Sequence, residues 1–291
     1  MPSWSEIITD VNLYSNAGTE LDKKREMYLT QIHSITGRNV IAYYSGWLKT
    51  PDAPHVSIDE QDKNAFMTTV YKLDKAKGLD LILHTPGGDI AATESIVTYL
   101  KSLFNGDVRA FIPQISMSAG TMIAMSCREI IMGEQSSLGP IDPQMGGIAC
   151  QAVIDEFKRA VSEVSANQAS LGLWQTIISK YHPTFLTACE NAVAWSAQLA
   201  EQWLKEVNPQ IDFDKIKNVF LNHNKSYSHS RHLSKQDCKN AGLNIVDLET
   251  NPDLQDAILS LHHCYMILFD KFLISKVVEN NIGDRKSTRL N

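Results

Sequence analysis

Apolar residues in this chain fall into short unbroken runs separated by amphipathic stretches. Asn39-Val40-Ile41-Ala42-Tyr43-Tyr44 is β-branched and aromatic, lies between Thr36-Gly37 and Ser45-Gly46, and predicts a strand. The runs at 79–84, 108–112 and 129–132 have strand length as well. Helices are predicted between them. One is opened by the capping-box pattern Ser57-Ile58-Asp59-Glu60 and extends to about Lys77, one spans about 90–104, and a third, built of small residues, spans about 118–125. Strand and helix alternating at this spacing is the βαβ pattern, which implies a parallel sheet with right-handed crossovers. After Pro143 the pattern turns helical. Over 150–207, Val153, Ile154, Phe157 and Val161 follow the 3.6-residue period. A short strand at 243–246 precedes a last helix predicted from Pro252 to about Val278. The reading is one α/β domain with a helical C-terminal half.

The two ends differ from this body. Residues 1–36 are polar and mildly helical, and the run Asp22-Lys23-Lys24-Arg25-Glu26 reads as the solvated face of an N-terminal helical extension. The stretch 283–291 breaks with what precedes it and looks like translated sequencing-adapter DNA, so a non-native tail is expected there and the main domain is placed at 37–282. The chain has 291 residues and a formal net charge of −6, with Lys and Arg scattered rather than striped. That balance argues against nucleic acid as a partner. Five cysteines, an odd number with no CxxC spacing, argue against a disulfide scaffold or a structural zinc site and for a reducing compartment. The start lacks the basic flank and apolar core of a signal peptide, and no apolar run approaches spanning length, so a soluble cytoplasmic protein without a membrane span is expected.

Two segments carry candidate chemistry, each just after a predicted strand, where open α/β sheets bind ligands. In Thr85-Pro86-Gly87-Gly88-Asp89, consecutive glycines allow backbone angles that turn N–H groups outward and admit a substrate carbonyl, as an oxyanion hole requires. By itself Pro-Gly-Gly is more simply a plain turn. In Gln114-Ile115-Ser116-Met117-Ser118-Ala119-Gly120-Thr121, Ser118 stands at a strand-to-helix corner with small neighbours. A helix N-terminus there favours a developing anion, although capping the helix is the ordinary work of such a serine. The segment is not the GxSxG elbow of α/β-hydrolases.

Together, Pro-Gly-Gly after one strand and Ser-Ala-Gly after the next resemble the ClpP/crotonase-like serine peptidases. The closer resemblance is to the serine dehydrogenase proteinase family, relatives of signal peptide peptidase A. It rests on Asn39 to Trp47, His84-Thr85-Pro86-Gly87-Gly88-Asp89, Ser116-Met117-Ser118-Ala119-Gly120-Thr121 and Leu138-Gly139-Pro140-Ile141-Asp142-Pro143-Gln144, and covers about residues 36 to 275. The resemblance implies a ClpP-like spiral of βαβ units, Ser118 as nucleophile, and an oxyanion hole of backbone N–H groups from Gly88 (or Gly87) and Ala119. It also implies a peptide or protein substrate, no cofactor, and self-association.

A serine hydroxyl needs a base. The histidine that ClpP peptidases carry after the serine falls on Pro143 here. The lysine of the signal peptide peptidase A relatives has two counterparts. Lys180 precedes a long predicted helix, and Lys158 sits mid-helix beside Arg159, where a solvated lysine is the simpler reading. A lysine buried beside the serine would have its pKa lowered, as a base needs. The Ser, Asp, His order described for the serine dehydrogenase proteinases is met by Asp142 with His229 or His232, although Asp142 before Pro143 is also a natural turn residue. His229, His232 and Cys238 are too few for a metal site. His262-His263-Cys264 reads as helix surface plus core, and Trp174, Trp195 and Trp203 as packing residues. Two rival readings stay open: an acyl-thioester enzyme of the crotonase branch, and a non-catalytic peptide-binding scaffold.

Overall fold

The four apolar runs become strands β1 (Asn39–Ser45), β2 (Leu79–His84), β3 (Val108–Ile112) and β4 (Glu129–Met132). In this computed structural model, which describes residues 6–9 and 17–289, β1 to β4 pair in parallel, each beside the next. β5 (Ile245–Asp247) extends the parallel set beside β4. β6 (Ile274–Asn280) lies antiparallel to β1, and β7 (Arg285–Arg289) antiparallel to β6. The sheet order is β5-β4-β3-β2-β1-β6-β7. Every residue of β1 and β2 is buried, which explains why they read as continuous apolar runs rather than alternating ones.

The longer helices, in chain order, are α1 (Ala17–Thr36), α2 (Gln61–Val70), α3 (Ile90–Leu103), α4 (Ala119–Met125), α5 (Cys150–Ala166), α6 (Leu171–Ile178), α7 (Phe185–Val207) and α8 (Pro252–Lys271). Leu21, Leu29 and Ile32 of α1 join Ile258, Leu261 and Tyr265 of α8 in a core over Val40, Ala42, Tyr44 and Ile82. The chain divides into two compact units. The first comprises residues 1–139 with 232–291 and holds the seven-stranded sheet; the second comprises 140–231. In the second unit, Gln144–Met145 and Ile148–Ala149 form a small antiparallel hairpin before α5, and α5 packs on α7 around Cys150, Val153, Ile154 and Cys189. All five cysteines are free and buried, and no described helix is long and apolar enough to cross a membrane.

The α/β class holds, and the differences are local. The last helix stops at Lys271, and residues expected to continue it form β6. Lys276 there meets Asp62 at 2.8 Å, and Glu279 receives a 2.7 Å bond from Arg25. These long-range partners, with the β-branched pair Val277-Val278 beside β1, override the helical pattern. The helix expected over 57–77 is only α2, followed by a 3-10 turn at Lys75–Lys77. Its capping box does not form. Glu60 makes no side-chain cap bond, whereas Asp62 accepts from the Asp59 N–H at 3.0 Å and Asp59 from the Gln61 N–H at 2.9 Å.

The run 22–26 is not wholly solvated, because Arg25 is 1% exposed and paired with Glu279 and Asp22. Residues 1–5 and 10–16 of the expected N-terminal extension, and 290–291 of the expected tail, lie outside the described residues; 285–289 form the edge strand β7. The fifth strand is Ile245–Asp247, shifted from 243–246. Trp174 and Trp203 are packing residues, while Trp195 is exposed.

Candidate active site

In the first unit the two segments that follow β2 and β3 run side by side. The Met117 N–H donates to Thr85 O at 3.0 Å, and Thr85 bridges Ser116 in parallel. On the other side, the Ile58 N–H donates to Gly87 O at 2.7 Å and the Asp89 N–H to Ile58 O at 2.9 Å. This bridge uses the atoms flanking Gly88, so the N–H of Gly88 itself faces away from Ile58. No side chain fits at either glycine. A Cβ on Gly88 would lie 2.3 Å from Ile58 O, and one on Gly87 would lie 2.7 Å from Ser118 Cβ and 2.8 Å from Ala119 N. The Pro-Gly-Gly segment is therefore packed directly against the serine corner.

Ser118 has φ 51° and ψ −119°, a conformation that suits glycine at the first central position of a type II′ turn and strains any other residue. Its side chain makes no cap bond to α4, so the ordinary N-cap role is not what it performs. From Ile115 to Cys127 it is the single residue that is not buried. The N–H groups of Gly88 and Ala119 meet no protein acceptor among the described residues, while that of Gly87 donates to Thr85 Oγ1 at 3.1 Å. Of the two glycines, Gly88 therefore has the available donor.

The strand ends behind these loops are tied by His84. Its ring nitrogens lie 3.2 Å from Ser45 O and 3.2 Å from Gln114 Oε1. Burial pushes this imidazole down to about 4, so it is neutral at ordinary pH.

The second unit contains the Asp142 cluster. Asp142 is 1% exposed, and its two oxygens each lie 2.8 Å from an imidazole: Oδ1 from His229 Nδ1 and Oδ2 from His223 Nδ1. The adjoining Ile141 is held on both sides, its N–H donating to Phe220 O at 2.7 Å and its carbonyl accepting from Ser196 Oγ at 2.9 Å. Asp142 is thus a buried, doubly bonded carboxylate rather than a plain turn residue. Burial, then Cys189, then the Asp142 charge push the nearby Cys150 thiol up to about 12, so it is not a rival nucleophile.

The remaining candidates are placed elsewhere. His232, in the first unit, is exposed and lies 2.9 Å from Ser137 Oγ. Lys180 follows α6 and Lys158 lies on α5, and both are exposed. His223 was not singled out by the sequence. Its one signal is a histidine close before His229 in a polar stretch, with no periodicity to mark it.

A strained serine corner against a Pro-Gly-Gly loop, on the ends of parallel strands, is the arrangement expected of the resembled family. The model of the ClpP-like SDH-type serine proteinase family matches residues 18–176. The chain belongs to that family. The match spans the glycine loop, Ser118 and Asp142, and ends before His223 and His229. Two uncharacterized proteins of Methanocaldococcus jannaschii are similar to this SDH-type chain. One is 35% identical over 109 residues, covering 38% of this chain and 36% of the relative. The other is 32% identical over 147 residues, covering 49% of each. The chain thus matches half or less of the length of either relative.

Proposed function

We propose that the protein is a serine peptidase that hydrolyses peptide bonds through an acyl-enzyme on Ser118. The observation that carries this reading is the serine itself, held at φ 51° with its hydroxyl uncommitted to a helix cap and the Gly87-Gly88 turn packed on its Cβ. In the proposed reaction Ser118 Oγ attacks the substrate carbonyl carbon while a base takes the hydroxyl proton. The N–H groups of Gly88 and Ala119 receive the developing oxyanion. The same base, now protonated, passes its proton to the leaving amine, and water then attacks the ester carbonyl to release Ser118. His229 oriented by Asp142 is the proposed base. The Nδ1 contact of 2.8 Å supports this, because a proton shared there leaves Nε2 as the free lone pair.

Digestion of unstructured casein-derived peptides, read by mass spectrometry, tests the reading. Cleavage that disappears in Ser118→Ala and in His229→Ala is the expected result. Turnover of acyl thioesters with no peptide cleavage would instead favour the crotonase-branch reading, and peptide binding without turnover would favour the scaffold.

Self-association is proposed with this activity. Val161, Leu171 and Leu173 of the second unit are exposed apolar side chains that suit contact with a second copy. Light scattering that shows a strict monomer would contradict it. The five buried free thiols support a reducing compartment, and the cytoplasm is the proposed location.

A further inference from the structure

One histidine suffices to make a base with Asp142, yet the second unit places two. His223 Nδ1 and His229 Nδ1 lie at the same 2.8 Å from opposite oxygens of one carboxylate. A carboxylate only accepts hydrogen bonds, so each ring directs an Nδ1 N–H at Asp142, and neither contact uses Nε2. The contacts alone make the two rings equivalent. Their backbones do not.

His223 sits on a braced turn. Residues Lys217–Leu221 form a π-helical turn closed by the Asn222 N–H on Lys217 O at 2.9 Å. His223 then opens the helical turn His223–Ser226, and its carbonyl accepts from the Tyr227 N–H at 2.9 Å. The next residue, Asn224, donates to Asp155 Oδ2 on α5 at 2.8 Å, and Asp155 Oδ1 in turn accepts from Gln151 at 2.8 Å. His229 lies instead in a short loop closed by the Arg231 N–H on Ser228 O at 3.2 Å. One imidazole is anchored to a helix through its neighbour, and the other is on a loop.

We propose that His223 is a positioning residue: it occupies Oδ2 of Asp142 and holds the carboxylate plane so that Oδ1 fixes the His229 ring in the Nδ1–H tautomer. This rests on the reading of His229 as the base, and it deepens that reading by giving the second histidine a separate task. Without His223, one face of a buried carboxylate loses its donor. The carboxylate then rotates or recruits water, and the orientation of His229 loosens. A misplacement of about 1 Å in such a base slows the reaction about a hundredfold.

The test uses the full-length chain and two substitutions. His223→Asn keeps an N–H donor close to the position of Nδ1, whereas His223→Leu removes it. Nitrogen-15 NMR of labelled histidines reports the tautomer of His229, and the rate of Ser118 phosphonylation by a fluorophosphonate reports the nucleophile. The expected result is a defined Nδ1–H tautomer of His229 in wild type and in His223→Asn, and a mixture of tautomers in His223→Leu. Phosphonylation is expected to slow about tenfold to a hundredfold in His223→Leu and to recover to within about threefold of wild type in His223→Asn.

Should His223→Leu fail to fold, His223→Gln, whose amide is displaced by one methylene, replaces it with the same expected direction. An unchanged His229 tautomer in the variant lacking the donor overturns the proposal. So does a His223→Asn protein as unreactive as His223→Leu, which would make His223 itself the base. A tautomer change with no change in Ser118 reactivity leaves the positioning contact standing and refutes instead the assignment of His229 as base.

Discussion

Substituting Ser118 by glycine and by alanine separates the strain at the corner from the chemistry of the hydroxyl. With φ 51° and ψ −119°, residue 118 occupies a region that costs a non-glycine residue about 1–3 kcal/mol. Glycine removes that cost but loses roughly 0.5–1 kcal/mol of backbone entropy relative to alanine. Ser118→Gly is therefore expected to be more stable than Ser118→Ala by about 1 kcal/mol, within a range of roughly 0–2.5 kcal/mol. At an ordinary helical position the order reverses. Ala152, exposed on α5, supplies the control, where glycine is expected to cost about 1 kcal/mol. Urea unfolding of the three variants and wild type, compared at constant m-value, reads these differences. Both position-118 variants are expected to lose reactivity toward fluorophosphonate, so stability and reactivity should move in opposite directions only in Ser118→Gly. A glycine variant less stable than the alanine variant would refute the claim that strain is stored at this corner.

Gly88→Ala would place a Cβ 2.3 Å from Ile58 O at φ 155°. It is expected to cost about 3 kcal/mol in urea unfolding through backbone displacement and to slow Ser118 phosphonylation by about a hundredfold through loss of the donor position. Glu279→Ala leaves the buried Arg25 guanidinium without its 2.7 Å partner and should cost about 3–5 kcal/mol, read by the same unfolding assay. The imidazole of His84 is held at about 4 against an ordinary 6.5, so the unfolded chain takes up a proton there between pH 6.5 and 4 that the folded protein refuses. Stability is thus full above pH 6.5 and falls as the pH drops through this window, by up to about 3 kcal/mol. His84→Gln should flatten the unfolding free energy over that range, and an unchanged slope would count against a neutral buried His84.

The parallel core was legible because β1 to β4 are covered on both faces, so burial itself wrote unbroken apolar runs into the sequence. β6 was not legible. Its Lys276 and Glu279 are buried only because Asp62 and Arg25, each more than 200 residues away, neutralise them, and no local pattern announces such partners. The same reason hid the burial of Arg25 inside a charge run. At the site, Ser118 and the Gly87-Gly88 turn were visible because the chemistry of a tight corner demands small residues next to each other in sequence. Asp142 and His229 were visible only through resemblance, since their contact spans 87 residues. His223 was missed because its contact is with that same carboxylate and its position is set by the turn built by Lys217–Leu221, neither of which is expressed in local spacing.

An activated Ser118 nucleophile can be trapped by covalent labelling. Intact-mass measurement with peptide mapping after fluorophosphonate treatment should show one adduct, located on Ser118 and absent from Ser118→Ala. A folded protein that gains no adduct, or gains it on another residue, would show that Ser118 is not the nucleophile.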